Sequence, residues 1–309
     1  MTGENPAAFT LVIAARNAEK YIGITLESVS RLRDGNFRVI VVNDGSTDAT
    51  ARIVEDFSQA NPSIDLQLIS GEARGVSAAR NVGLSLVETG YVLFLDADDL
   101  LSSDALSRFS VSLDDARYVA ALGRVLRIDH DGQPLPSPDN RVLVPKTGQL
   151  YALIKKNYII NGGALAIRTA NVRAIGGYDE TLKYGEDWEF WCRLLTQGDL
   201  VTVTDDHVLA YRQIATGANF MAGGSPFARN IACLDRVAAN RSIKETLGWR
   251  LALGLRMRRI DIFWSSVRTK YQYESKRAAV LLSALGLLVY PDSIVRPKLA
   301  IRFVKSVWR

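Results

Sequence analysis

The chain has 309 residues, 48% hydrophobic and 23% charged. That is the balance of a globular protein long enough for one large domain, or one domain with an appendage. Two cysteines, Cys192 and Cys233, are too few for a disulfide framework and match neither a zinc nor a redox spacing. The N-terminus lacks a basic segment followed by an apolar core, so the expected compartment is the cytoplasm. Residues 240–309 carry 15 Lys and Arg against 4 Asp and Glu, a net +11 within a chain of net +5. Residues 1–239 are therefore acidic, and the tail is expected to meet an anionic partner.

In chain order, Phe9–Ala14 reads as a strand, and Asn17 can cap a helix from Ala18 to about Leu32. Phe37–Val42 is a second strand. It ends in Asn43-Asp44-Gly45-Ser46-Thr47-Asp48, where Ser46 or Thr47 can cap a helix to about Ala60. Leu66–Ile69 is a third strand, and Ser77 to about Val87 a third helix. Tyr91–Leu95 is five apolar residues in a row, a strand buried on both faces. This alternation predicts an α/β fold with a mostly parallel central sheet flanked by helices. Ligands in such sheets bind outside the carboxyl ends of the strands. Arg16 and Asn17, Asn43 and Asp44, Arg74, then Asp96 and Asp98 all fall at those ends. Farther on, Tyr118–Ile128 is a strand, Gln149–Asn157 a short helix, Asn161-Gly-Gly a flexible turn and Ala164–Arg168 a strand. Thr169–Ile175 is a short helix, and a longer one runs from Tyr184-Gly-Glu186-Asp187-Trp188 to about Gln197. Leu200–Thr204 and Leu209–Arg212 are two further strands.

Two acidic clusters carry the chemistry. Asp96-Ala97-Asp98-Asp99 places three carboxylates within four residues of a buried strand. Capping of the next helix needs one of them, and Asp99 can do it. The Asp-x-Asp pair suits a hard cation, Mg²⁺ or Mn²⁺, that also holds a substrate's phosphates. Glu186 and Asp187 sit in a first helical turn, where acids favour the helix dipole. With Trp188, Phe190 and Trp191 beside them, a carboxylate could instead take a proton from a hydroxyl of a sugar stacked on an indole face. His207, alone before an apolar strand, is read as structural.

Six segments occur in a telling order: Ala15-Arg16-Asn17; Val42-Asn43-Asp44-Gly45-Ser46-Thr47-Asp48; Gly75-Val76-Ser77-Ala78-Ala79-Arg80-Asn81-Val82-Gly83; Phe94-Leu95-Asp96-Ala97-Asp98-Asp99; Gly176-Gly177-Tyr178-Asp179; and Gly185-Glu186-Asp187-Trp188. Together they resemble the family 2 glycosyltransferases, over roughly Phe9 to Asn219. The resemblance implies a GT-A fold and an inverting, divalent-metal-assisted transfer of a sugar from a nucleotide diphosphate to an acceptor hydroxyl. It implies that Asn17 and Asp44 bind the nucleotide-sugar, with Asp44 on the base and Arg80 near the base or the diphosphate. Asp96 would bind the ribose or sugar, Asp98 the metal, and Asp187 would be the general base. Glu186, Trp188 and Arg212 are candidate acceptor or diphosphate contacts, and Arg212 serves packing equally well. UDP is the default donor nucleotide, with GDP and dTDP open. The Gln-x-x-Arg-Trp signature of processive members is absent and Tyr211-Arg212-Gln213 stands in its place, which favours single addition to a glycan or lipid-linked acceptor.

The sequence divides into a catalytic domain over 1–224, with its nucleotide-binding half at about 9–100 and its acceptor half at about 101–224, and a helical, basic region over 225–309. Ala278–Tyr290 is uncharged but too short to cross a membrane. Val295–Arg309 has the spacing of a basic amphipathic helix, which suits an anionic membrane surface, packing on the domain, or a homodimer contact. A nucleotidyltransferase is disfavoured because Ala14–Ala18 contains no glycine, and no nucleic-acid motif accompanies the basic tail. A sugar-nucleotide-binding protein without transfer activity stays open.

Overall fold

In the computed structural model, the residues described are 8–33, 36–136, 144–213 and 226–273, with 282, 283, 286 and 288–290. The chain divides into two compact units, residues 1–153 with 157–221, and residues 154–156 with 222–309.

The first unit is built on an eight-stranded sheet ordered β3-β2-β1-β4-β7-β6-β8-β5. Its first part alternates: β1 (Phe9–Ala15), α1 (Ile22–Ser30), β2 (Phe37–Asn43), α2 (Thr50–Ala60), β3 (Leu66–Ser70), α3 (Val76–Ser85) and β4 (Tyr91–Asp96). These four strands pair in parallel. Leu11–Ile13, Val39–Val42 and Val92–Leu95 are buried without interruption, as strands covered on both faces must be. At Gly83 a Cβ would overlap the Val12 side chain, so the glycine lets α3 lie close over β1. The second part comprises β5 (Leu100–Leu101), α4 (Ala105–Ser112), β6 (Tyr118–Ile128), α5 (Gln149–Lys155), a 3-10 turn (Gly162–Ala164), β7 (Leu165–Arg168), α6 (Thr169–Ala174), α7 (Glu186–Leu194) and β8 (Asp199–Arg212). β7 runs antiparallel to both β4 and β6, and β8 runs parallel to β6.

Three sequence expectations need correcting. The two C-terminal strands are one 14-residue strand, β8, which stays paired to β6 through register shifts around Leu122–Val125; such bulges absorb residues that break strict alternation. Helix α1 begins at Ile22, and Asn17 lies before it with φ +49°. Helix α2 begins at Thr50 rather than after Ser46 or Thr47. The would-be caps are occupied elsewhere. Ser46 Oγ accepts from the Asn17 amide (3.0 Å), Asn17 Oδ1 accepts from the Thr47 amide (2.9 Å), and Asp48 Oδ2 accepts from the Glu19 amide (3.1 Å). The loops after β1 and β2 are stitched to each other, which satisfies polar groups that capping would have used.

The second unit contains α8 (Pro226–Ala239), α9 (Arg241–Leu247) and α10 (Trp249–Tyr273). Asn240 caps α9 by accepting from the Ile243 amide, and Gly248 turns the chain into α10 with φ +52°. Its core includes Cys233, Leu234, Val237, Ile243, Leu247, Leu251, Leu255 and Ile260. Among the described residues no helix is long and apolar enough to cross a membrane. The amphipathic helix expected over Val295–Arg309 lies outside the described residues.

Candidate active site

The carboxyl ends of β1, β2 and β4 are level: Ala14 pairs with Val42 on one side and Asp96 on the other. The residues that follow therefore collect on one edge of the sheet. Asp44 is buried there, its Oδ1 accepting from the Arg74 amide (3.0 Å) and its Oδ2 from the Gly75 amide (2.8 Å). The loop 71–75 reaches it through two left-handed residues, Ala73 at φ +58° and Gly75 at φ +104°.

The centre of this edge is Arg80 on α3, 4% exposed. It donates to Asp96 Oδ1 (2.8 Å) and to Asp187 Oδ1 (2.7 Å), and Glu186 Oε1 lies 3.9 Å away. Its charge faces these acids, one from the end of β4 and two from the first turn of α7. Below it, the guanidinium sits 5.0 Å from the Tyr178 ring, which stacks on Phe190 at 4.2 Å. Asn81 holds the Tyr178 backbone by accepting from its amide (2.8 Å) and donating to its carbonyl (2.9 Å).

Burial and mutual repulsion act on these acids. Three carboxylates share one guanidinium, so full ionisation would leave the cluster negative. Burial, then the nearby Asp187, pushes Glu186 up to about 7. Asp187 is raised by burial, with Arg80 opposing and Asp96 adding to the rise. Arg80 itself is held charged well above its ordinary range by Asp187, Asp96 and Glu186 despite its burial.

On the other side of Asp96, Asn161 donates to Asp96 Oδ2 (3.3 Å) and to Asp99 Oδ2 (2.8 Å). Asp99 Oδ1 accepts from the Arg212 amide (2.8 Å). Asp99 thus caps no helix; it is a buried tie between the acidic turn and β8. Arg212 is buried as well, donating to the carbonyls of Asp98 (3.0 Å), Asp129 (3.1 Å) and His130 (3.0 Å). Of its two expected roles the packing one is what the geometry supports. Asp98, by contrast, has no side-chain partner among the described residues, and burial and Asp96 push it up to about 6. Trp188 does not offer an open stacking face. It is 5% exposed and its indole N–H donates to the Leu153 carbonyl (3.0 Å), because the apolar stripe of α7 faces the core. Asn161 and Tyr178 were not singled out from the sequence. A conformationally free turn such as Asn161-Gly-Gly does not announce a buried bridge, and a tyrosine after Gly-Gly does not announce the guanidinium above it.

Replacing Arg80 with Met leaves three half-buried carboxylates, Asp96, Glu186 and Asp187, without their shared counter-charge. The expected loss is about 1.5–3 kcal/mol near pH 8 and visibly less at pH 5, where Glu186 is neutral; chemical denaturation at the two pH values checks this. Glu186 is favoured neutral in the folded chain. Its stabilising contribution is therefore complete below about pH 4.5 and lost as pH rises through about 7. Glu186→Gln should flatten that part of the stability profile, read by thermal unfolding between pH 5 and 8.

The family model described as glycosyl transferase family 2 matches residues 10–174. Poly(ribitol-phosphate) beta-N-acetylglucosaminyltransferase TarS of Staphylococcus aureus is 26% identical over 207 residues, 66% of this chain and 35% of that protein. The minor teichoic acid biosynthesis protein GgaA of Bacillus subtilis is 28% identical over 194 residues, 60% of this chain and 43% of that protein. The chain thus spans less than half the length of these two relatives. Among solved structures, S. aureus TarS 1-349 with UDP-GlcNAc superposes with a TM-score of 0.62 at 21% identity, covering 92% of this chain and 87% of that one. The mannosyltransferase PcManGT of Pyrobaculum calidifontis, with GDP-Man and Mn²⁺, gives 0.59 at 18% identity over 98% and 88%. The sheet order and the curled second half are those of the GT-A fold, and the chain belongs to glycosyl transferase family 2.

Proposed function

We propose that the chain moves a single sugar from a nucleotide-diphosphate sugar, a UDP-sugar by default, to a hydroxyl of a glycan or lipid-linked acceptor in cell-surface polysaccharide or glycolipid assembly, with inversion and with Asp187 as general base. The observation that carries this reading is the single buried guanidinium that holds Asp187 on one NH group and Asp96 on another. The candidate base and the donor-side acid are thereby kept at a constant separation. Asp187 remains partly exposed and its pKa is raised, which suits a group that must accept a proton. TarS, by name a β-N-acetylglucosaminyltransferase, supports a UDP-sugar donor and a cell-wall acceptor.

The acceptor oxygen attacks the anomeric carbon as its proton passes to Asp187. The bond from that carbon to the diphosphate oxygen breaks on the opposite side, and its electron pair leaves with the nucleotide diphosphate. Asp44 and Asn17 serve the nucleotide end and Asp96 the ribose or sugar. Asp98 fits a hard cation: it is a carboxyl without a side-chain partner beside a second acid. Among the described residues no group of three His, Cys, Asp or Glu is arranged to hold a metal ion by itself, so Mn²⁺ or Mg²⁺ would be shared between Asp98 and the substrate's phosphates, as such ions commonly are. The ion would neutralise charge developing on the leaving diphosphate. The basic C-terminal region would serve an anionic membrane surface.

Asp187→Asn should keep metal-dependent UDP binding by calorimetry and lose about 10²–10⁴-fold in transfer rate; transfer at the wild-type rate removes Asp187 as the base. Asp98→Ala should abolish the difference in UDP affinity between Mn²⁺ and EDTA. A difference as large as in the wild type moves the ligand role elsewhere.

A further inference from the structure

The second unit carries a groove of about 490 Å³ that the transfer chemistry does not use. Its floor includes Ala238, Leu251 and Leu255, and its rim Lys244, Arg256, Arg259 and Tyr290. Three cations on an apolar trough call for a ligand that is anionic at one end and greasy at the other. Lys244 is exposed and has no ion-pair partner among the described residues. Arg259 is balanced by Asp235 at 3.1 Å, and the Arg256 guanidinium lies 5.9 Å from the Tyr290 ring.

The surface around the groove is apolar in an unusual way. Trp249 is 78% exposed and Leu253 43%. With Arg256 they stand at i, i+4 and i+7 on α10, one stripe of a helix. Next to Tyr290, Leu288 is 81% exposed and Val289 53%. Large apolar side chains left in water beside a cationic cleft are what an interfacial membrane contact needs: the apolar groups enter the headgroup boundary while the cations meet phosphate. The net +11 of residues 240–309 gives the same sign of attraction over a longer range.

We propose that this groove seats the phosphate headgroup of an anionic membrane lipid, with Lys244 and Arg256 meeting the phosphate and Trp249, Leu253, Leu288 and Val289 entering the bilayer interface. This deepens the membrane reading of the C-terminal region and rests on it; it does not depend on the identity of the sugar or on Asp187.

The test uses the full chain and co-sedimentation with vesicles of phosphatidylcholine alone or with phosphatidylglycerol. Binding is expected only to the anionic vesicles and should weaken as salt is raised. Each basic side chain at such a surface contributes about fivefold, so K244Q/R256Q should weaken binding roughly twentyfold. Trp249→Ser, at a site too exposed to threaten folding, should weaken it on the order of tenfold. UDP calorimetry on the same samples checks that the catalytic unit is intact. If both variants bind anionic vesicles as the wild type does, the groove assignment is overturned while the membrane reading stands. No binding to either vesicle overturns both. Inorganic phosphate binding without vesicle binding makes this a free-phosphate site and overturns the proposal. So does self-association in sedimentation that Trp249→Ser abolishes, in the absence of vesicle binding.

Discussion

One guanidinium, buried on the third helix and facing three carboxylates, sets the terms for the catalytic unit. Arg80 is held charged in that position, and it is the counter-charge that Asp96 and Asp187 share. The interaction joins the helix that crosses over β1 to the end of β4, 16 residues on, and to the first turn of α7, 107 residues on. A desolvated cation among partly desolvated anions is held best where geometry and further hydrogen bonds are both good. The surrounding structure reads as the means of ensuring that. Tyr178 lies flat beneath the guanidinium, Phe190 beneath Tyr178, Phe94 edge-on against both, and Asn81 pins the tyrosine backbone.

A second network does the same for the acidic turn. Asn161 and the Arg212 amide hold Asp99, and the Arg212 side chain gathers the carbonyls of Asp98, Asp129 and His130. With Asp99 and Arg212 occupied in this way, Asp98 is the member of the acidic triplet whose carboxylate meets no partner side chain by hydrogen bond among the described residues. That division of labour leaves one aspartate side chain open at the sheet edge and makes a structural tie of its neighbour. Sequence position alone would not have separated them.

The second unit follows a different physical logic. Its helices bury an ordinary apolar core, yet they leave Trp249, Leu253, Leu288 and Val289 in solvent around a cationic cleft. In the catalytic unit buried charge is neutralised internally. Here exposed charge and exposed apolar surface stand together, a combination that an amphiphilic partner relieves.

The strand–helix alternation, the family resemblance and the acids at the strand ends were legible in the sequence, because buried parallel strands are written as unbroken apolar runs and a sheet edge displays whatever follows them. Tyr118–Ile128 was recovered to the residue, although Gly123, Arg124 and Arg127 interrupt its apolar run. What the tertiary structure alone decided was partnership. Asn17 and Ser46 look like caps locally and instead stitch two loops. Leu200–Thr204 and Leu209–Arg212 look like two strands and are one, continued by bulges against β6. Trp188 looks like a sugar platform and is core. That Arg80 is the counter-charge of Asp96 and Asp187 is not written in its neighbours in the chain. Periodicity and motif are properties of neighbouring residues, whereas the partner of a buried polar group comes from a distant segment. Which group it meets is determined when the chain must satisfy every desolvated donor and acceptor at once.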